Sequence, residues 1–533
     1  MNTFLNTRQP VSKLPIGIQA FETMRGQGYA YVDKTRWIHR MATAGMFYFL
    51  ARPRRFGKSL LLSTLKCLFE GRRELFEGLW IAEQGEWDWQ SHPVILLDFN
   101  EIEHDSPPNL ERGLAFSLRR IARQHRVQID ASGIVTGFTE LILALHQRTR
   151  QPVVVLIDEY DKPLIDHLGK GEDGLAIARS HRDILRNFFA VLKGGTVSPA
   201  LRFVLLAGVS RFSRVSIFSE LNNLQDLSMN DAYADMLGYT QEEIERSFST
   251  DMDAFADHLG WTPAEVRAGL ELQYNGYRFS ERDVRVYNPF SVLNALSERK
   301  FGNYWFASGT PTFLINLLRQ GRWDLTAIEG LEVDPSAFST FEIDNLRLEA
   351  LLFQTGYLTI GDVSNGIYRL DYPNQEVKVS FLKSLLFAPE QGVEEQSRSM
   401  VLQLAQHLRN EDMEAFFTTM QAVFASIPYS LSAAQSEAYF HTIFYLMLST
   451  SGADASSELL TNRGRIDLTV EFSDKVFVFE FKCNQSATAG LEQIRARGYA
   501  ERYRTGGRRV MLVGINFDTT TRNIAGWEAE LAS

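Results

Sequence analysis

The sequence predicts an α/β multidomain chain. A mostly parallel sheet flanked by helices comes first, then a helical middle region closed by a hairpin, then a second α/β part. Three observations predict this. Short apolar runs at Met46–Leu50, Val94–Asp98, Val153–Ile157 and Leu201–Gly208 alternate with segments of helical period, as strands buried on both faces alternate with crossover helices. From Gly238 the helical patterns dominate until Tyr357–Ile360 and Ile367–Asp371, which are joined through Asn365-Gly366, a strong hairpin signal. Last, Gly464–Phe472 and Lys475–Lys482 read as two strands turning at Ser473-Asp474.

At 533 residues the chain has room for three or four domains, and 45% hydrophobic with 23% charged residues is the composition of a well-packed soluble protein. A net charge of −10 argues against a nucleic-acid-binding coat over the whole surface, so any such binding must be local. Cys67 and Cys483 make no disulfide framework, and a reducing, cytoplasmic setting is expected. The first residues lack the basic–apolar–small pattern of a secretion signal, and no apolar run approaches the ~18 residues of a membrane span. No membrane partner is expected.

The first element of chemical interest is Ala51-Arg-Pro-Arg-Arg-Phe-Gly-Lys-Ser59, set between the aromatic run Met46–Leu50 and the helical pattern Leu60–Phe69. Strand, tight turn and helix are the context of a phosphate-binding P-loop. There the backbone of Arg54, Arg55, Phe56 and Gly57 would cradle phosphate oxygens, Lys58 would bridge the β- and γ-phosphates of ATP, and Ser59 would ligate Mg²⁺. The first glycine of the usual pattern is replaced by Arg52. Gly-Lys-Ser is common by chance, so a second motif is required.

Gln151-Pro-Val-Val-Val-Leu-Ile-Asp-Glu-Tyr-Asp161 supplies it. A buried parallel strand ending in carboxylates places them where open α/β sheets bind ligands. Asp158 would hold the Mg²⁺ water shell, and Glu159 would orient or deprotonate the attacking water. At the tip of Leu201–Gly208, Ser210 is the candidate γ-phosphate sensor, with Arg211 beside it. Asp33, before the amphipathic segment Trp37–Met46, reads equally well as a helix cap or as a neighbour of the nucleotide.

The arginines of the long helical pattern Leu110–Gln128 read as a solvated face. Thr240 followed by Glu243 opens a helix with a capping box. The aromatic stretches Tyr274–Phe279 and Val286–Ser291 read as packing rather than base stacking. Helices before the 357–371 hairpin suggest a winged-helix module serving as lid or prop, because a basic stripe is missing. A linker is expected at Ala388–Ser397, followed by helices at Met400–Arg409, Met413–Phe424 and Ser436–Leu448.

The last hairpin carries the second site. With a period of two, Val478, Glu480 and Lys482 share one face while Phe477, Phe479 and Phe481 share the other. Charges on so apolar a strand are costly unless paired or metal-bound. Asp467 and Glu480 with a backbone carbonyl make a hard-oxygen site suited to Mg²⁺ or Mn²⁺. Lys482 would stabilise charge beside the metal, Glu437 would complete the shell, and Gln493 and Tyr499 on the following helix would orient the set. A Glu480–Lys482 salt bridge on a strand edge is the plain alternative. Arg495, Arg497, Arg502, Arg504, Arg508 and Arg509 offer a local face for phosphates.

With both sites in view, the chain resembles bacterial proteins that join an AAA-ATPase-like domain to a C-terminal PD-(D/E)xK nuclease-like domain. The resemblance rests on Gly17-Ile-x-x-Phe21, Tyr31–Thr35, Arg52–Ser59, Leu156–Asp161, Tyr274–Tyr277, Tyr287–Ser291, Gly464–Asp467 and Glu480–Lys482. It implies an AAA-like P-loop ATPase domain over 1–237, a helical lid with winged-helix-like region over 238–388, and a restriction-endonuclease-like α/β domain over 389–533. In that family an arginine at the first-glycine position is usual. Glu437, Asp467, Glu480 and Lys482 all match the nuclease motif, although Ile466 stands where the signature has proline. The expected activity is ATP hydrolysis controlling a metal-dependent nuclease, with ATP, Mg²⁺ and Mg²⁺ or Mn²⁺ as cofactors. The expected partner is nucleic acid, DNA ahead of RNA, and assembly into a homo-oligomer would supply a neighbour's arginine. Defence against foreign DNA is an analogy with family members. A nucleotide-switched sensor or scaffold whose nuclease-like fold only binds a partner is the alternative, and a P-loop phosphotransferase a third.

Overall fold

The computed structural model describes residues 13–211, 221, 223–307, 314, 330–338, 347–386, 395–426, 437–461 and 464–532. The chain divides into two compact units, Met1–Leu317 with Glu332–Glu376, and Leu318–Leu331 with Val377–Ser533.

The first unit is built on a parallel five-stranded sheet: β1 Phe47–Ala51, β2 Val94–Asp98, β3 Val153–Asp158, β4 Leu201–Gly208 and β5 Gln225–Asp226, in the order β2-β3-β4-β1-β5. The four long strands are the four apolar runs read from the sequence. Val153 to Ile157 are each 0% exposed, which a strand covered by helices on both faces requires. β5 has two residues, too few to show any period. The register pairs Ala51 with Gly208 and Asp98 with Asp158. The strand ends therefore line up, and every loop leaving them opens on one edge of the sheet.

The same unit holds helices whose starts the sequence marks. Thr240 and Glu243 form a reciprocal capping box at Gln241–Leu259, and Thr262 and Glu265 repeat it at Pro263–Tyr274. Glu243 also pairs with Lys34 at 2.7 Å in a buried contact. Gly276, at φ +104, brings the chain so near Pro373 that a Cβ would lie 1.9 Å from its carbonyl oxygen, which explains the glycine of the Tyr274–Tyr277 motif. A sheet of order β6-β8-β7 combines β6 Leu331–Val333, β7 Thr359–Ser364 and β8 Ile367–Asp371. Asn365 (φ +52) and Gly366 (φ +78) turn the β7–β8 hairpin as a type I′ turn demands.

The second unit carries a mixed sheet of order β13-β12-β11-β10-β9. Its strands are β9 Asp454–Thr461, β10 Gly464–Glu471, β11 Lys475–Cys483, β12 Arg509–Asp518 and β13 Asn523–Leu531. Only the β11–β12 pair is parallel. The alternation on β11 holds. Phe479 and Phe481 pack on Phe444 of the helix Glu437–Thr450, and Phe479 also meets Phe416 of Met413–Ser426. Val476 and Val478 face the other way, onto Leu491 and Ile494 of Ala487–Arg497. The expected linker 388–397 lies mostly outside the described residues, and its end is the start of the helix Glu395–Arg409.

Candidate active sites

The P-loop leaves β1 at Ala51. Arg52 N–H donates to the Gly208 carbonyl at 3.1 Å, so the chain still runs as strand where a glycine is usual. Its guanidinium turns inward, 2% exposed, donating to the carbonyls of Ala51 and Ser228 and lying 4.3 Å from the Phe279 ring centroid. Burial pushes its pKa down to about 9. Arg52 is thus a bolt between loop and core rather than a phosphate ligand. The turn follows at Arg55 (φ +68) and Gly57 (φ +96), and the helix Lys58–Phe69 begins. Phe56 is buried edge-on against Tyr277 and Phe279, and the Arg54 carbonyl accepts the Trp305 indole N–H at 3.0 Å. Aromatic stretches read as packing therefore hold the loop in shape.

Lys58 Nζ donates to the Arg52 and Pro53 carbonyls at 3.0 and 3.3 Å and stands 3.5 Å from Glu159 Oε1. Asp158 is 4% exposed and accepts the Ser59 hydroxyl. Burial, then the neighbouring Glu159 charge, pushes its carboxyl up to about 6. Glu159 sits at φ +50, an uncommon conformation for a residue with a side chain. Asp161 is fully buried and accepts Ser210 N–H and Oγ–H, both at 2.6 Å, with Val209 N–H at 3.1 Å. Burial first, and Glu159 second, raise its carboxyl to about 6.

These elements border a cavity of 490 Å³. Arg54, Arg55, Gly57, Lys58, Ser59 and Glu159 line it; Asp158 and Phe56 lie behind the lining. Ser210 is 0% exposed, with its hydroxyl committed to Asp161, and Arg211 pairs with Asp226 at 2.6 Å. Neither is brought to the wall. Asp33 accepts Thr35 and Trp80 N–H groups and is likewise absent from it. Two charged lining residues went unread in the sequence, Asp98 and Lys162. Asp98 ends β2 beside Asp158 and carries the same strand-end signal; Lys162 carries none. An apolar flank of Ile16, Ile18, Met24, Tyr239, Phe290 and Leu293 completes the cavity, joining the Gly17 and Tyr287–Ser291 motifs to the P-loop. A lining that combines polar and cationic groups with an apolar wall suits a nucleoside phosphate. The Ser59 hydroxyl beside Asp158 is an oxygen donor set that fits Mg²⁺.

In the second unit Glu480 is 1% exposed and its Oε1 stands 3.0 Å from Lys482 Nζ, which also donates to the Phe481 carbonyl at 2.8 Å. One Asp467 carboxylate oxygen accepts Phe481 N–H at 2.8 Å. Extending the β10–β11 register from Leu468 opposite Phe479 brings Asp467 level with Glu480. Tyr499, held by Gln493, feels the charges of both carboxylates, and burial with those charges pushes its hydroxyl up. It stands in a 3-10 turn, because the expected helix stops at Arg497. His441, unread in the sequence, reaches the Asp467 carbonyl at 2.8 Å from one turn after Glu437. The Glu437 side chain lies outside the described residues. Among the described residues no three His, Cys, Asp or Glu groups converge. The two carboxylates fit a hard cation in kind, with remaining ligands from backbone or Glu437. The arginine face is changed as well: Arg495 pairs with Glu530, Arg508 with Glu471 and Arg509 with Glu411, while the Arg502 and Arg504 side chains lie outside the described residues.

Comparison with known proteins now decides the family. The family model described as predicted AAA-ATPase matches residues 15–218, and that of the PD-(D/E)XK nuclease superfamily matches 435–527. A protein of Azotobacter chroococcum mcd 1, described as "Uncharacterized protein in vnfD 5'region", is 39% identical over 539 residues, covering 97% of this chain and 99% of its own. The chain belongs to the family of bacterial AAA-ATPase-like proteins with a C-terminal PD-(D/E)XK nuclease domain. The AAA-ATPase-like match contains every residue from the P-loop to Ser210, and the nuclease match contains Asp467, Glu480, Lys482 and His441. The relative's similarity extends through the hairpin region between them. Among the described residues no helix is long and apolar enough to cross a membrane.

Proposed function

We propose that this protein binds and hydrolyses ATP in the 490 Å³ cavity and thereby controls a metal-dependent phosphodiesterase in its C-terminal domain, acting on nucleic acid, DNA ahead of RNA. The observation that supports the proposal is that one chain brings together Lys58 with Glu159 and Ser59 with Asp158, and separately Asp467 with Glu480 and Lys482. Lys58 and the loop backbone bind phosphates, and Glu159 accepts a proton from the attacking water. In the nuclease site Asp467 and Glu480 would hold Mg²⁺ or Mn²⁺, which when bound polarises the phosphate and lowers the pKa of water. Lys482 leaves Glu480 to face the developing phosphorane charge. The working division is 1–237 for the ATPase, 238–388 for the lid and 389–533 for the nuclease, in a cytoplasmic homo-oligomer serving defence against foreign DNA. The deciding experiment incubates purified protein with single- and double-stranded DNA and RNA, with and without ATP and Mn²⁺. Cleavage that needs metal and responds to ATP supports the proposal; no cleavage of any substrate refutes it.

A second reading is favoured by the closed bonding of the C-terminal set: Lys482 is engaged by Glu480 and the Phe481 carbonyl, and Asp467 by Phe481 N–H. In that reading ATP switches a scaffold whose nuclease-like fold only binds a partner.

A further inference from the structure

Lys162 lines the same cavity as Lys58 and Glu159, and it starts the turn immediately after β3, its N–H donating to the Glu159 carbonyl at 3.0 Å. Its ammonium is held 2.8 Å from Asp166 Oδ2, with side chains 26% and 34% exposed. A pair this open contributes little to folding. The same Asp166 oxygen takes His104 Nε2 at 2.9 Å, while His104 Nδ1 faces the Ile102 carbonyl at 2.6 Å. Burial works against the Asp166 charge, but the bonds from His104 and Lys162 prevail and hold its carboxyl well below the usual range. Asp166 thus keeps a second hydrogen-bond partner, His104, if Lys162 departs.

The strand tip that would ordinarily report on a terminal phosphate is closed. The Ser210 hydroxyl is given to Asp161 and Arg211 to Asp226, and neither lines the cavity. A cation on a flexible stem, parked on a partner that tolerates its loss, is what the β3 side presents instead.

We propose that Lys162 is a second phosphate-contacting cation of this cavity, exchanging Asp166 for the terminal phosphate of a nucleoside triphosphate and so discriminating triphosphate from diphosphate. The proposal rests on the nucleotide reading above. Calorimetry with a non-hydrolysable ATP analogue and with ADP, both with Mg²⁺, tests it on the full chain. Lys162→Ala should weaken the ATP analogue by roughly ten- to a hundred-fold, the loss of one charge-assisted hydrogen bond, and leave ADP within about two-fold. Unchanged ADP binding also shows that the variant is folded. Asp166→Asn, which releases Lys162 from its parking place, should strengthen the ATP analogue and leave ADP unchanged. A purely structural ion pair predicts neither shift. Equal effects of Lys162→Ala on both nucleotides, no effect on either, or weaker ATP-analogue binding in Asp166→Asn would overturn the role of Lys162 while leaving the nucleotide site standing. A wild type that binds neither nucleotide would overturn both.

Discussion

The two candidate sites differ in how their charges wait for a ligand. In the first unit Lys58, Ser59 and Glu159 border an open cavity of 490 Å³, with Asp158 just behind and joined to Ser59. Lys58 is poised on two backbone carbonyls, acceptors that a phosphate readily outcompetes. In the second unit Lys482 neutralises the buried Glu480 directly, and Asp467 is bonded to the strand backbone. Burying Glu480 beside Lys482 lowers the cost of a carboxylate in a core. On the proposed reading, the first set faces an open cavity, whereas the second is bonded closed and metal and substrate would have to displace Lys482.

That contrast can be broken most severely at the second site. Glu480→Ala and Asp467→Asn should abolish both Mn²⁺ binding and cleavage, Asn preserving the acceptor for Phe481 N–H; ATP hydrolysis by either variant should be normal. Metal titration by calorimetry alongside a cleavage assay checks this, and cleavage retained in both would make the hairpin structural. Lys58→Ala should in turn remove detectable ATP binding, because no other cation occupies its place at the head of the helix. Glu159→Gln should bind ATP normally but hydrolyse it ~10²–10⁴-fold more slowly, having lost the base alone. Lys482→Ala should keep the metal and lose cleavage by ~10²–10³-fold, the scale of one electrostatic stabiliser.

The smallest effect is on pH. The Asp158 carboxyl is raised to about 6 by burial, so the ligand-free protein holds its proton well above the ordinary carboxylate range. The Asp158 anion that would bind Mg²⁺ is therefore present above about pH 6 and lost below it. Mg·ATP affinity should fall as pH drops through 6, approaching tenfold per unit, and ATP affinity without Mg²⁺ should fall less. A flat Mg·ATP profile from pH 7 to 5 would place the metal on other groups.

The same contrast governs what was legible. The P-loop and the Asp158-Glu159 strand are contiguous motifs, and consecutive residues suffice to state their chemistry; their strands follow from apolar runs too continuous for a surface. The role of Arg52 was hidden, because its partners Ser228 and Phe279 lie far along the chain. The closing of Ser210 by Asp161 was hidden for the same reason. Lys162 shows no pattern until folding brings it to the cavity that Lys58 lines. On β11 the period of two correctly separated Glu480 and Lys482 from the phenylalanines. His441 escaped notice because its bond is to a backbone carbonyl, which no residue type announces. Three of the six arginines read as a phosphate face, Arg495, Arg508 and Arg509, pair with Glu530, Glu471 and Glu411, each distant in sequence.

The central claim is that nucleotide at the first site governs chemistry at the second. The most direct measurement is the rate of metal-dependent nucleic-acid cleavage by wild type and Lys58→Ala, each with and without ATP, with Glu480→Ala as the blank. Wild-type cleavage should change several-fold on adding ATP, and Lys58→Ala should cut at one rate regardless of ATP. Identical ATP responses in wild type and Lys58→Ala, or cleavage by Glu480→Ala equal to wild type, would contradict the account.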